Sequence, residues 1–101
     1  MKTLTLAVLA AGVVFAGQTL ADEALAKAKN CMTCHQIAVK VVGPAYKDVA
    51  AKYKGQADAE AKLAAKMRSG GKGVWGEVPM PPNNLTEAEA KKLAAWVLSA
   101  K

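Results

Sequence analysis

Residues 31–35 read Cys31-Met32-Thr33-Cys34-His35, and what those five positions can hold decides the fold. On a helical turn, side chains three apart share a face, so the two sulfurs point the same way. They are then spaced to form thioethers with the two vinyl groups along one edge of a porphyrin. The imidazole next in the chain falls beneath the ring plane, within reach of the iron. Cys-x-x-Cys-His is accordingly the attachment pattern of a c-type haem. Two other uses of paired cysteines fit less well. A thioredoxin-like dithiol accompanies a βαβ pattern, which this sequence lacks, and needs no following histidine. A structural zinc site takes about four ligands, and the whole chain offers two Cys and one His.

The amino-terminal stretch supports export. Lys2 precedes an apolar run from Leu4 to Ala16, and Thr19-Leu20-Ala21 follows, which are the three regions of a secretory signal peptide. Residues 1–21 are therefore expected to be cleaved, leaving Asp22 as the mature amino terminus and the periplasm as the destination. The run is short for a membrane span and no stop-transfer pattern follows it. In that oxidising compartment a disulfide between Cys31 and Cys34 would close a very small loop and stabilise little. Residues 22–101 then form a single domain of 80 residues, short enough that its core is modest. Its only large rings are Tyr46, Tyr53, Trp75 and Trp96. A covalently held porphyrin would supply the missing apolar interior.

Periodicity predicts an all-α fold of about four helices, and the attachment motif would have them wrapped around one covalently bound haem. A first short helix over Glu23 to Asn30 carries Leu25 and Ala28 with Met32 on the same stripe, running into the attachment motif. Gln36 to Gly43 is an extended loop; Val39, Val41 and Val42 give it strand character, but it has no partner strand. Pro44 suits the first position of a second helix, whose Tyr46, Val49 and Tyr53 share a face and which Gly55 ends. A third helix is expected from Asp58 as N-cap, with Ala59, Leu63 and Met67 in register, stopped by Gly70-Gly71-Lys72-Gly73. Thr86 and Glu89 form a capping box for the last helix, whose apolar stripe is Leu93, Trp96, Val97 and Ala100. Trp96 is expected to pack in the core rather than to take part in chemistry.

Between the third and fourth helices lies Gly73-Val74-Trp75-Gly76-Glu77-Val78-Pro79-Met80-Pro81-Pro82-Asn83-Asn84. Three prolines around one methionine hold the backbone extended and stiff, since each fixes φ and removes a donor. A thioether on such a strap is a candidate sixth ligand for haem iron. Met32 sits inside the attachment turn, Met67 on a helical stripe, and Met1 leaves with the signal. With a single histidine in the chain, bis-histidine ligation is excluded. The other reading of Met80 is a flexible side chain filling a gap in packing.

The segments Cys31-Met32-Thr33-Cys34-His35, Val42-Gly43-Pro44-Ala45-Tyr46-Lys47-Asp48-Val49-Ala50, Gly73-Val74-Trp75-Gly76, Val78-Pro79-Met80-Pro81-Pro82-Asn83 and Ala95-Trp96-Val97-Leu98-Ser99 together carry a family likeness. The chain resembles the class I monohaem cytochromes c of the bacterial c-551/c-552 type, over essentially all of Asp22 to Lys101. That resemblance implies haem c on Cys31 and Cys34, with His35 and Met80 as axial iron ligands. It implies that the Pro44 carbonyl accepts the second ring proton of His35, fixing the imidazole. It also implies that the Trp75 indole N–H binds a haem propionate and that Asn83 lies near the methionine sulfur. Lys66 stands where a relative uses an arginine toward a propionate, a contact that a lysine cannot reproduce in bidentate form.

With His and Met both on iron, no coordination position is open to substrate, so the expected function is periplasmic one-electron transfer between respiratory partners, not catalysis. Thioether ligation and a buried ring favour the ferrous form, and the redox chemistry belongs to the haem. The alternative is a haem enzyme or gas sensor, which needs an open sixth position. A module with unmodified cysteines would have to be stable with few aromatics and only 80 residues.

Of the 14 Lys and Arg only Lys2 precedes Asp22, against 8 Asp and Glu in all, so the expected mature chain is basic. An excess of lysine steers a carrier toward an acidic face on its partner, and salt weakens that steering. Lys27, Lys29 and Lys40 lie nearest the attachment motif. The resemblance implies a cytochrome bc complex or a small copper protein as donor and a haem nitrite reductase or terminal oxidase as acceptor, met by a monomer. The lysines are spread without a basic cluster or interleaved aromatics, which argues against nucleic-acid binding. Stable membrane insertion is not expected of the mature chain.

Overall fold

Four helices and one 3-10 turn follow each other along the chain: α1 (Val13–Ala28), the 3-10 turn (Cys31–Thr33), α2 (Tyr46–Lys52), α3 (Ala59–Ser69) and α4 (Glu87–Leu98). The computed structural model describes residues 13–101; residues 1–12 of the expected leader lie outside the described residues. Among those described, β-pairing is limited to two isolated bridges, His35 with Lys40 and Gly71 with Met80. The fold is therefore all-α.

The organising element is α4, against which α1, α2 and α3 all pack. Its first turn is fixed by the expected capping box: Glu89 N–H donates to Thr86 Oγ1 at 3.1 Å, and Thr86 N–H donates to Glu89 Oε1 at 3.0 Å. Two otherwise orphaned amides are satisfied at once. Ala90 and Ala94 are completely buried, and Ala26 of α1 nearly so. Side chains this small let helix backbones approach closely. Leu93, Trp96 and Val97 complete the buried stripe and meet Tyr46 and Val49 of α2 and Leu63 and Ala64 of α3. Trp96 is thus a core residue, as its spacing indicates.

Two local expectations need correction, and a third holds in position without its side-chain bond. The first helix is longer than Glu23 to Asn30 and does not run into the motif. It spans Val13–Ala28, passing through the expected processing point without a break, and Asn30 then adopts a left-handed φ of 65°. One left-handed residue ends a right-handed helix, so Met32 lies in the separate 3-10 turn rather than on the α1 stripe. Pro44 is not the first residue of α2; Ala45 is the N-cap. The first amides of that helix find acceptors upstream, Tyr46 N–H on Gln36 O at 2.9 Å and Lys47 N–H on Ile37 O at 3.0 Å. The loop after His35 thereby caps α2, and Pro44, which has no amide hydrogen, need only deliver the chain to it. Asp58 occupies the N-cap position of α3 without a side-chain capping bond; its carboxylate pairs instead with Lys62 at 3.2 Å.

Candidate haem-binding site

The 3-10 turn suits the paired cysteines better than an α-turn would. At three residues per turn, positions three apart eclipse, and Cys34 N–H donates to Cys31 O at 3.2 Å to close the turn. Both thiols are free and half-buried. Burial pushes the Cys31 thiol up from its ordinary value, outweighing a backbone hydrogen bond that lowers it. A redox-active dithiol depends on a depressed value, so the direction found at Cys31 speaks against that use.

His35 follows at once and is held from three sides. Its Nδ1 lies 2.8 Å from Pro44 O. A carbonyl can only accept, so Nδ1 carries a proton, and in the neutral ring Nε2 is the nitrogen with the lone pair. The phenol ring of Tyr46 stacks on the imidazole at 5.1 Å with 22° between planes, and Trp96 meets Tyr46 edge-on at 5.4 Å. On the remaining side is the Gly43 backbone, where a Cβ would stand 2.8 Å from Nδ1 and collide with the ring. Gly43 N–H is itself anchored on Cys34 O at 2.7 Å.

Met80 is half-buried on a strap that hangs from the end of α3. Gly71 N–H donates to Met80 O at 3.0 Å and Met80 N–H donates to Gly71 O at 2.8 Å. Asn83 fastens the far end twice over, its backbone N–H and its Nδ2 each donating to Met67 O at 3.0 Å. A further contact from Nδ2 reaches Pro81 O at 3.3 Å. Gly70 begins the strap with a φ of 74°, and a Cβ there would press on the backbone of Met80 and Pro82. Both the left-handed angle and the close approach call for glycine.

The other sequence-derived positions are set around these two supports. Trp75 lies at the outer turn of the strap, 43% exposed, with Lys52 Nζ 5.5 Å from its ring centroid. Lys66, half-buried near the end of α3, lays its amine over Gly71, where a Cβ would be 3.0 Å from Nζ. Tyr46, Gly43 and Lys52 are contributors that sequence reasoning did not assign to the site. The run Gly43-Pro44-Ala45-Tyr46 was the available signal for the first two. Nothing in the spacing signals Lys52.

The residues present fit a porphyrin. Ile37, Val39, Val41 and Val42 beyond His35, and Val74, Trp75 and Val78 on the strap, are large apolar side chains left exposed. So many exposed apolar side chains gathered in two loops want an apolar cover, and a porphyrin face is one. Among the described residues no group of three or more His, Cys, Asp or Glu is placed to hold a bare metal ion.

The cytochrome c family model matches residues 16–101. The chain belongs to the cytochrome c family. Cytochrome c-552 of Hydrogenobacter thermophilus is 60% identical over 93 residues, 92% of this chain and 95% of that one. Cytochrome c-551 of Pseudomonas aeruginosa is 54% identical over 98 residues, 95% of this chain and 94% of that one. Wild-type cytochrome c552 of Nitrosomonas europaea has a similar crystal structure, with a TM-score of 0.76 and 55% identity across 78% of this chain and 99% of that one. This cytochrome is a small monohaem electron carrier with covalently bound haem c, and it is not an enzyme. No helix among the described residues is long and apolar enough to cross a membrane.

Proposed function

We propose that this cytochrome carries single electrons in the periplasm with His35 and Met80 as the two axial ligands of its haem iron. The observation that supports it most directly is the 2.8 Å contact between His35 Nδ1 and Pro44 O, which leaves Nε2 as the only lone pair on the only histidine of the chain. When bound, the haem supplies the ferric/ferrous couple. Cys31 and Cys34 hold it as thioethers, while Pro44, Gly43 and Tyr46 keep the imidazole from turning. The strap, stiffened by prolines on both sides of Met80, holds the thioether in place. A ligand set that does not move between oxidation states costs little reorganisation, which suits a carrier. Trp75, Lys66 and Asn83 complete the haem surroundings in this reading.

Export and partners belong to the same proposal. Residues 1–21 act as the signal peptide, and cleavage after Ala21 leaves Asp22 at the start of a shortened α1. The monomer then meets acidic faces on a cytochrome bc complex or small copper protein and on a haem nitrite reductase or terminal oxidase. Lys27 is tied to Glu23 at 3.1 Å, and Lys29 donates to Asn84 O at 3.2 Å with Glu89 Oε1 at 3.9 Å. Among the described residues Lys40, Lys47, Lys54 and Lys72 have no acidic partner within ion-pair distance, so they are the freer cations for docking.

The test is an optical spectrum of the purified exported protein, oxidised and then reduced. A weak far-red sulfur-to-iron band in the oxidised form, lost in Met80→Ala, is expected. A high-spin oxidised spectrum without that band would remove Met80 from the iron and revive the open-site alternative.

A further inference from the structure

The strap between Gly70 and Asn83 is fastened by backbone pairs at its ends, but its outer turn is held differently. There Gly73 N–H donates to Gly76 O at 2.7 Å, closing a tight turn that displays Val74 and Trp75. Both side chains keep much of their surface in solvent, Trp75 43% of it, so burial alone does not fix the indole where it lies. The ammonium of Lys52 is the group set against it, 5.5 Å from the ring centroid. At that range the negative face of an indole attracts a cation, modestly when the pair is exposed. Among the described residues Lys52 has no carboxylate within ion-pair distance, so its charge is not drawn elsewhere.

The place of this contact in the fold gives it consequence. Lys52 is in the last turn of α2, the helix whose Tyr46 stacks on His35 and whose first amides are capped by Gln36 and Ile37. The strap carries Met80. The Lys52–Trp75 contact therefore joins the helix that supports one candidate ligand to the loop that bears the other.

We propose that Lys52 is a positioning residue whose ammonium, seated on Trp75, clamps the outer turn of the strap to α2 and so slows the opening that lets Met80 leave the iron. The inference rests on the reading of Met80 as axial ligand. Lys52 touches neither iron nor thioether; it acts through Trp75 on the equilibrium between closed and open strap. An exposed cation–π pair corresponds to roughly a two- to fivefold change in that equilibrium.

The experiment compares the haem-loaded wild type with Lys52→Met, which keeps the aliphatic stem, and Lys52→Arg, which keeps the charge. Excess imidazole is added to the ferric proteins, and loss of the far-red band is timed under conditions where strap opening limits the rate. Lys52→Met is expected to react roughly two- to fivefold faster and Lys52→Arg to match the wild type. Hydrogen exchange of the Gly73 and Met80 amides is expected to accelerate in the same proportion in Lys52→Met. In a Trp75→Leu background, Lys52→Met should change neither measurement. Equal imidazole rates with unchanged exchange would overturn the clamp, and so would an acceleration that persists in full without Trp75. A wild type lacking the far-red band would overturn Met80 as ligand instead; exchange alone then decides the clamp, and unchanged exchange rejects it.

Discussion

His35 Nδ1 lies 2.8 Å from Pro44 O, and the backbone between them is packed so tightly that Gly43 has no room for a methyl group. The hydrogen bond and the close approach are one device. Pro44 can offer its carbonyl to the ring only because the residue before it is small enough to let the chain pass. Gly43→Ala would place a Cβ 2.8 Å from Nδ1 and 3.0 Å from Nε2. The φ of Gly43 is one that any residue adopts, so the effect is steric alone. Overpacking of this kind costs about 1–3 kcal/mol, and the displaced imidazole should also lower the yield of protein with covalently attached haem. Thermal unfolding and the haem-to-protein absorbance ratio would both report it.

Asn83 gives a second case in which chemistry and geometry separate cleanly. Its Nδ2 donates to two carbonyls, Met67 O and Pro81 O. Asn83→Ala loses those bonds and leaves the backbone amide bond to Met67 O in place, for a cost of about 1 kcal/mol. Asn83→Asp should be worse, since an ionised carboxylate faces two acceptors with nothing to donate. Protonation restores a donor, so the gap between the two variants should narrow as the solution is acidified toward about pH 4. Denaturant unfolding across acid pH is the measurement, and equal stability of the two variants at neutral pH would contradict the assignment.

The elements that could be read directly from the sequence are those written in side-chain identity and short spacing. Cys31, Cys34 and His35, the prolines around Met80, and Thr86 with Glu89 each announce their geometry because the constraint acts within a few residues. The stripe of Leu93, Trp96 and Val97 is legible for the same reason. What could not be read is carried by backbone carbonyls and by contacts between distant segments. Gln36 and Ile37 cap α2 with carbonyls that any residue would possess, which is why Pro44 reads as a helix start and proves to lie two residues before it. The left-handed turn at Asn30 is permitted by asparagine but not demanded by it. Tyr46 looks like one more member of an apolar stripe until His35 is found stacked on it. Lys52 over Trp75 joins α2 to the strap across 23 positions in the sequence, a pairing that no local pattern encodes.

The capping box at the start of α4 should matter beyond its own turn because α4 is the element on which the other three helices rest. Thr86→Ala removes the acceptor for Glu89 N–H, at a cost of about 0.5–2 kcal/mol, and Thr86→Ser should restore most of it. Glu89 adds a pH dependence. Its carboxyl is held below its ordinary 4.5, first by the backbone N–H of Thr86, then with smaller help from Lys29 and the Thr86 side chain against some desolvation. A depressed carboxylate stabilises the fold above its unfolded value and loses that contribution as pH falls through the folded value. Glu89→Gln should therefore melt below the wild type at neutral pH and begin to converge with it as the pH falls under 4.5, which melting curves at neutral pH and through the acid range would show.

Tyr46 predicts the opposite limb. Burial, chiefly, and negative charge on Cys31 and Cys34 where those thiols are free push its phenol well above the ordinary 10.0. In the haem-loaded protein the thioethers carry no charge, so burial remains as the cause. The folded state then keeps a proton that the unfolded chain releases above pH 10.0, so stability falls as pH rises past that value, by at most about 1.4 kcal/mol per pH unit. Tyr46→Phe keeps the ring that stacks on His35 and meets Trp96 while removing the titrating group. Its unfolding free energy should match the wild type near neutrality, apart from any small effect of the lost hydroxyl, and decline less steeply between about pH 10 and 12. Parallel alkaline limbs for the two proteins would mean that a group other than Tyr46 governs the loss of stability there. The stack on His35 could then be examined by Tyr46→Leu, which removes an aromatic contact of about 0.5–1.5 kcal/mol and should let the imidazole turn, visible as broadened haem resonances at unchanged pH.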